Sequence, residues 1–246
     1  MKISIITPVF NNEDFIEECI KSVKSQSYPD VEYIVIDGNS TDGTLELLKK
    51  YENKIKIVSE KDKGIYDAMN KGIKLAKGDI VGILNSDDVY FDKKVFKRVV
   101  DCFSDKNIDA CYGDLVFVKK NNLNKVVRYW KSGEYIESKL NYGWMPPHPA
   151  FFVRKSVYNK YGVFNLDFKL VSDYELMLRF LKIHKIKTKY IPEILVKMRT
   201  GGASSKNLFL RMRERTKAWR INELKLPRFL LTGKAMSRMA QYFLRP

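Results

Sequence analysis

Carboxylates at the ends of apolar, β-type runs are the residues of this chain best suited to chemistry. Asn85-Ser86-Asp87-Asp88 follows an apolar run at 80–84 and precedes a helical pattern with Val95, Phe96 and Val99 on one side. Two adjacent carboxylates on such a turn suit a hard divalent cation, Mg²⁺ or Mn²⁺, which keeps some waters and takes its other oxygens from a diphosphate. The same four residues would also make a plain polar turn. Asp37-Gly38-Asn39-Ser40-Thr41-Asp42-Gly43-Thr44 sets a carboxylate at another strand end, followed by small residues that let a ligand approach the backbone. Such a carboxylate accepts a hydrogen bond from a base or ribose, although Ser, Thr, Asp and Gly are equally what a turn and helix cap use. Ser40 and Thr41 are capping candidates, and Asp42 and Thr44 are assigned to the cap. The stretch 63–72, KGIYDAMNKG, opens a third helical pattern where backbone N–H groups and Lys63 meet phosphate or simply water. Its spacing is not that of a Walker phosphate loop.

These residues need elements to position them. Apolar β-branched runs at 3–7, 33–37, 55–59 and 80–84 alternate with helical faces, the pattern of parallel βαβ units. In open α/β sheets ligands collect beyond the carboxyl ends of strands, so Thr7, Asp37 and the 85–88 cluster are expected to converge on one crevice. Beyond about residue 108 the pattern becomes mixed, with strands expected at 110–119, 126–130, 149–154 and 190–198. A loop rich in Gly, Tyr and Pro is expected at 132–149 and a helix at 172–184. His148, between two prolines, has a site role or a structural one. His184 reads as a solvated residue at a helix C-terminus.

Composition narrows the class. Among 246 residues, 45% are hydrophobic and 13% aromatic, which excludes disorder as the main state. Lys and Arg number 45 against 29 Asp and Glu, a net +16 that suggests a polyanionic neighbour: a phosphate ligand, nucleic acid or an acidic membrane. Residues 206–246 hold 11 of the basic residues and 2 of the acidic ones, a net +9 that leaves +7 for the rest. Interleaved with Phe, Leu, Met and Trp, that segment reads as a basic amphipathic helix pair lying on an anionic leaflet. Its alternative is packing back on the main domain. Three widely spaced cysteines fit neither a disulfide framework nor a zinc site, so a reducing cytosol is expected. Neither a signal peptide nor a spanning helix is expected from the sequence.

Taken together, six blocks carry a resemblance: ISIITPVFNN (3–12), VIDGNSTDGT (35–44), DKGIYDAMNKGI (62–73), KGDIVGILNSDD (77–88), PHPAFFVRKSVYNKYGVFN (147–165) and SDYELMLR (172–179). The chain resembles the family 2 inverting glycosyltransferases, in particular bacterial enzymes of surface-polysaccharide assembly. The resemblance implies an α/β GT-A fold, a mostly parallel central sheet flanked by helices. The catalytic domain would span 1–205, with a nucleotide-binding half at 1–108 and an acceptor-binding half at 109–205, and 206–246 would be a basic helical extension. It also implies transfer of one sugar, with inversion, from a nucleotide-diphosphate sugar, as a UDP-sugar, to a glycan or lipid-linked acceptor.

Residue by residue, Thr7 would lie beside the base, Asp37 at the uracil or ribose end, and Lys63 and Asp67 would flank the nucleotide. Asp88 would ligate Mn²⁺ or Mg²⁺, with Asp87 near the ribose or sugar. Asp173 would be the general base, and His148 would sit on the acceptor or diphosphate side. The enzyme would work in the cytoplasm at the inner face of the membrane. Two other classes compete. A nucleic-acid module fits the charge, but zinc-finger spacing and an RNP-like aromatic pattern are missing. In a nucleotidyltransferase, a Gly-rich basic loop would stand where this chain has 8–12.

Overall fold

The structure is a computed structural model that describes residues 1–202, 207–227 and 230. Nine strands form one sheet: β1 (Ile3–Val9), β2 (Val31–Asp37), β3 (Lys56–Ser59), β4 (Ile80–Ile83), β5 (Val89–Tyr90), β6 (Ala110–Lys119), β7 (Asn122–Trp130), β8 (Phe151–Arg154) and β9 (Thr188–Arg199). Their order is β3-β2-β1-β4-β8-β6-β9-β5, with β7 paired to β6. The helices are α1 (Ile16–Lys24), α2 (Thr44–Lys49), α3 (Ile65–Leu75), α4 (Val95–Cys102), α5 (Lys155–Tyr161), α6 (Ser172–Leu178) and α7 (Leu208–Ile221).

The expected βαβ units are present in the first half. β1 pairs in parallel with β2 on one side and β4 on the other, and β2 pairs in parallel with β3. Every β1 residue is buried, as a strand covered on both faces requires. The chain leaves β1 towards β2 and β3, then returns across it to β4. That reversal opens a crevice at the carboxyl end of β1.

Two apolar clusters cover the sheet. One holds Ile6, Ile34, Met69, Phe180 and Trp219, and the other holds Ile5, Cys19, Val35, Phe96 and Phe152. Alternate residues of one strand therefore feed opposite layers.

In the second half the strands expected at 110–119, 126–130, 149–154 and 190–198 stand as β6 to β9, and the sheet they extend is mixed. β8 inserts antiparallel between β4 and β6, and β6 pairs in parallel with β9, so half of the strand pairings are antiparallel. The two-residue β5 and α5 were not expected. Val89–Tyr90 is too short to show a period, and α5, at seven residues, is little longer than the window in which one could be read. The loop at 132–149 is broken by two 3₁₀ turns, Glu137–Tyr142 and His148–Ala150. α6 ends sooner than expected and passes into one π turn, Arg179–Ile183. His184, which follows it, is half-buried at this helix end and stacks on Tyr161 at 4.0 Å.

The extension begins as part of the domain. α7 packs on α6, with Ala218 and Trp219 buried. The Glu214 carboxylate accepts the backbone N–H groups of Lys169 and Leu170 at 2.9 Å and of Val171 at 3.1 Å, capping the approach to α6. The Trp219 indole N–H donates to the Tyr174 hydroxyl at 2.7 Å. A boundary at 205 thus cuts α7 from the surface it covers. Leu208 and Phe209 are exposed, so α7 carries apolar residues on more than one side. Any second helix of the expected pair falls at 228–246, which apart from Leu230 lies outside the described residues. Among the described residues no helix is long and apolar enough to cross a membrane.

Candidate active site

The crevice at the end of β1 opens into a cavity of about 1000 Å³. Its floor is the β1–α1 loop, 8–15, and its far wall is built by β6, β7, the 143–149 loop, the start of α6 and α7. Reciprocal hydrogen bonds fix the near loops. Asn11, held at φ 48°, receives the Thr41 N–H on its Oδ1 and donates its own N–H to Ser40, each at 2.8 Å. Asparagine tolerates that left-handed conformation better than most residues. Asn12 donates through Nδ2 to the Ser86 hydroxyl at 2.7 Å, tying this loop to the turn that carries Asp87.

Of the residues singled out from sequence, Asp87, His148 and Asp173 line the cavity together. Asp173 opens α6, a place favoured for a carboxylate by the helix dipole. Its Oδ2 lies 3.7 Å from His148 Nδ1, and its Oδ1 accepts the Tyr66 hydroxyl at 3.2 Å. Burial lowers the His148 pKa, opposed by the charges of Asp173 and Asp87, which keeps the imidazole neutral near pH 7. Burial raises the Asp87 carboxyl and pushes Asp88 well above the carboxylate range, the latter helped by repulsion from Asp87.

The other five stand elsewhere. The Thr7 hydroxyl turns into the core, within 3.1 Å of the Tyr33 hydroxyl and 3.8 Å of Cys19 Sγ, because alternation on a fully buried strand points it away from the cavity. Asp37 is buried and its oxygens are taken by Ser40 (Oγ, 2.5 Å) and Ser59 (Oγ, 2.6 Å), so it braces the turn. Lys63 and Asp67 close a local loop, the Lys63 N–H donating to Asp67 at 3.0 Å, while Asp67 also lies 3.8 Å from Lys71. Asp88 sits behind Asp87. Its Oδ1 accepts the Arg199 N–H at 3.1 Å and its buried Oδ2 has no hydrogen-bond partner. Of the cap candidates, Asp42 does the work, accepting the Thr44 N–H at 2.9 Å.

Three residues were missed. Tyr66 faces Asp173 because α3 starts beside α6, a juxtaposition across 107 positions that no local pattern records. Asp62 lines the cavity and its Oδ2 lies 2.6 Å from where a Cβ on Gly38 would be, so only glycine leaves it that place. Its signal was the acidic residue opening DKG. Phe10, 60% exposed on the cavity floor, was the other; an aromatic between Val9 and the polar pair Asn11-Asn12 was the available clue.

The cavity thus sets a carboxylate beside a neutral imidazole at one wall and Asp87 in its lining, with the unpartnered Asp88 oxygen buried behind. The sequence profile described as Glycosyl transferase family 2 matches residues 4–162.

The chain belongs to glycosyl transferase family 2.

This glycosyltransferase is 26% identical over 210 residues to a "PGL/p-HBAD biosynthesis glycosyltransferase" of Mycobacterium bovis, covering 83% of this chain and 79% of that protein. It is 28% identical over 225 residues to an uncharacterized glycosyltransferase of Rickettsia typhi, covering 88% and 69%. Among solved structures it is similar in fold to S. aureus TarS 1-349 in complex with UDP-GlcNAc, with TM-score 0.66 and 22% identity over 84% of this chain and 61% of that one. The mannosyltransferase PcManGT from Pyrobaculum calidifontis, in complex with GDP-Man and Mn²⁺, has TM-score 0.66 and 18% identity over 98% and 70%. The sheet is therefore that of the GT-A glycosyltransferases.

Proposed function

We propose that this glycosyltransferase takes a nucleotide-diphosphate sugar, as a UDP-sugar, and passes the sugar with inversion to a glycan or lipid-linked acceptor, with Asp173 as general base. The observation that carries the reading is the convergence of Asp87, His148 and Asp173 on one cavity at the switch point of the sheet. Solved relatives of the same fold hold UDP-GlcNAc, or GDP-Man with Mn²⁺, which supports a nucleotide-sugar donor.

The nucleotide is proposed to lie over Pro8, Val9 and Phe10, with Asp62 facing the base and Asp42 beside it. A divalent cation fits the Asp87–Asp88 pair: the buried Asp88 Oδ2 lacks any partner, and burial raises both carboxyls, Asp88 well above the usual range, which a bound countercharge would reverse. When bound, such a cation would offset the charge developing on the leaving diphosphate. Among the described residues no three His, Cys, Asp or Glu side chains group into a complete cage, which suits a cation that takes its other oxygens from the diphosphate.

Asp173 takes the proton of the acceptor hydroxyl as it attacks the anomeric carbon from the face opposite the nucleotide. One carboxylate suffices there, and its orientation by Tyr66 and His148 supplies rate by positioning. The extension is proposed to hold the enzyme at an anionic membrane: Leu208 and Phe209 stand exposed beside Arg211 and Arg213. A role in surface-polysaccharide assembly is proposed on the family resemblance alone; the mycobacterial relative is named for PGL/p-HBAD biosynthesis.

The test is a thermal-shift panel of UDP- and GDP-sugars with and without Mn²⁺, followed by release of nucleoside diphosphate. Stabilisation by one nucleotide sugar, enhanced by Mn²⁺, is expected. A panel in which none stabilises the protein contradicts the reading.

A further inference from the structure

The cationic side chains that line the cavity, Lys120, Arg128, Lys169, Arg199, Arg211 and Arg215, differ in what already holds them. Arg199 is buried and committed: it donates to the Glu18 carboxylate and to the carbonyl oxygens of Asp87 and Lys120. Arg128, Arg211 and Arg215 are engaged by neighbouring groups. Lys169 stands on the loop entering α6. Lys120 occupies the two-residue turn between β6 and β7 and is exposed. Among the described residues its ammonium makes neither a hydrogen bond nor an ion pair. It stands instead 5.3 Å from the centre of the Phe15 ring, at the end of the floor loop. The turn is pinned, since the Lys120 carbonyl accepts Arg199 Nε at 2.9 Å and the Val118 carbonyl accepts the Thr200 N–H at 3.0 Å. The charge is also felt at the acidic turn: burial raises the Asp87 carboxyl, and its own backbone N–H with the charges of Arg199, His148 and Lys120 opposes that rise.

From this we infer that Lys120 binds the diphosphate of the sugar nucleotide directly, through an ion pair that needs no divalent cation. An ammonium without an anion, held over an aromatic ring beside the acidic turn, is a point charge placed for phosphate oxygens. The acidic side chains of the neighbouring loops are used elsewhere, Glu13 and Asp42 accepting the Gly43 and Thr44 N–H groups at 2.8 and 2.9 Å. β6 and β7 belong to the far wall, but their turn reaches the floor loop at Phe15, so Lys120 joins the elements that receive the donor rather than α6. As the anomeric C–O bond breaks, the leaving nucleoside diphosphate takes the bonding pair and gains one negative charge, while the acceptor proton goes to Asp173. A fixed ammonium at that place favours the transition state over the bound donor, so it contributes to kcat as well as to affinity. The inference rests on the proposed nucleotide-sugar donor and gives the β6–β7 hairpin a task in that site.

The test titrates UDP, GDP, uridine and guanosine calorimetrically into the full chain, once in chelator and once in Mn²⁺. In chelator the wild type should bind one diphosphate about tenfold or more tightly than its nucleoside, and Mn²⁺ should tighten it further. Lys120→Gln should weaken that diphosphate by about tenfold in chelator while nucleoside affinity stays within about twofold, and Lys120→Arg, which keeps the charge, should recover most of the loss. Lys169→Gln removes an equal charge from the loop entering α6 and should leave diphosphate affinity within about twofold of wild type. Melting midpoints check that each variant folds. Undiminished diphosphate affinity in Lys120→Gln overturns the inference, as does a loss shared by the nucleoside. An equal loss in Lys169→Gln would reduce the effect to the general field of the cavity and overturns the direct contact. Wild-type binding of the diphosphate only in Mn²⁺ overturns the cation-independent pair. A wild type that binds neither diphosphate in either condition contradicts instead the proposed donor.

Discussion

The hydroxyl of Tyr66, on the first turn of α3, donates to Oδ1 of Asp173, on the first turn of α6, at 3.2 Å. Tyr66 is held by stacking on Phe164, with ring centroids 5.5 Å apart. The bond therefore aims the Asp173 carboxylate from a rigid element of the nucleotide half. Tyr66→Phe keeps the ring and removes the donor. Turnover should fall about tenfold with nucleotide-sugar affinity unchanged, as expected of a positioning residue. A matching loss of donor affinity would assign Tyr66 to binding instead.

The cation proposal makes a paired prediction at Asp88. Its carboxylate is buried with Oδ2 unpartnered, so charging it without a countercharge is unfavourable. Asp88→Asn should abolish the Mn²⁺-dependent part of nucleotide binding. In chelator at pH 8 the same variant should melt at or above the wild-type temperature, since a folded-state pKa raised above the unfolded value withdraws stability as pH rises through it. Mn²⁺-enhanced binding that survives the substitution would move the cation elsewhere.

Much of the first half was legible because each βαβ unit announces itself by a change of period, and β1, β2 and α3 lie within a few residues of their expected places. In the later half the segments of β6 to β9 were legible too, but not their order and direction in the sheet. β8 is a four-residue strand whose antiparallel position between β4 and β6 depends on long-range pairing that a local pattern does not encode. Site residues divide the same way. Asp87 and Asp173 stand at element ends that face the crevice, whereas Thr7 and Asp37 have the right type and the right strand end but spend their polar atoms on Tyr33, Ser40 and Ser59. Residue type gave no hint of which neighbour would claim them.

The α7 contacts predict that the domain does not end at 205. Glu214→Ala leaves three backbone donors without their carboxylate and should cost about 2 to 4 kcal/mol. Trp219→Ala, which empties a fully buried site and frees the Tyr174 hydroxyl, should cost about 3 to 5 kcal/mol. Urea unfolding checks both. A chain truncated at 205 with undiminished stability would mean that α7 covers nothing the domain needs.

His148 supplies a pH dependence. Burial depresses its pKa below the ordinary 6.5, so the folded state takes up this proton less readily than the unfolded chain. The contribution to stability is complete above about pH 6.5 and is lost as pH falls from there towards the depressed folded value, by up to about 1.4 kcal/mol per pH unit. In chelator, the stability difference between His148→Gln and wild type should therefore shift in favour of the variant between pH 7 and pH 5. A difference that stays constant over that range would show that His148 titrates alike in both states.

The central claim is that Asp173 takes the acceptor proton, and single-turnover kinetics of Asp173→Asn with the nucleotide sugar selected by the stability panel tests it most directly. The substitution keeps the shape of the side chain and its place beside Tyr66 and His148 but removes the basic oxygen. The account predicts donor affinity within about twofold of wild type and a transfer or hydrolysis step slowed by about 10² to 10⁴. A variant that turns over at the wild-type rate, or one whose loss lies entirely in donor binding, would contradict it.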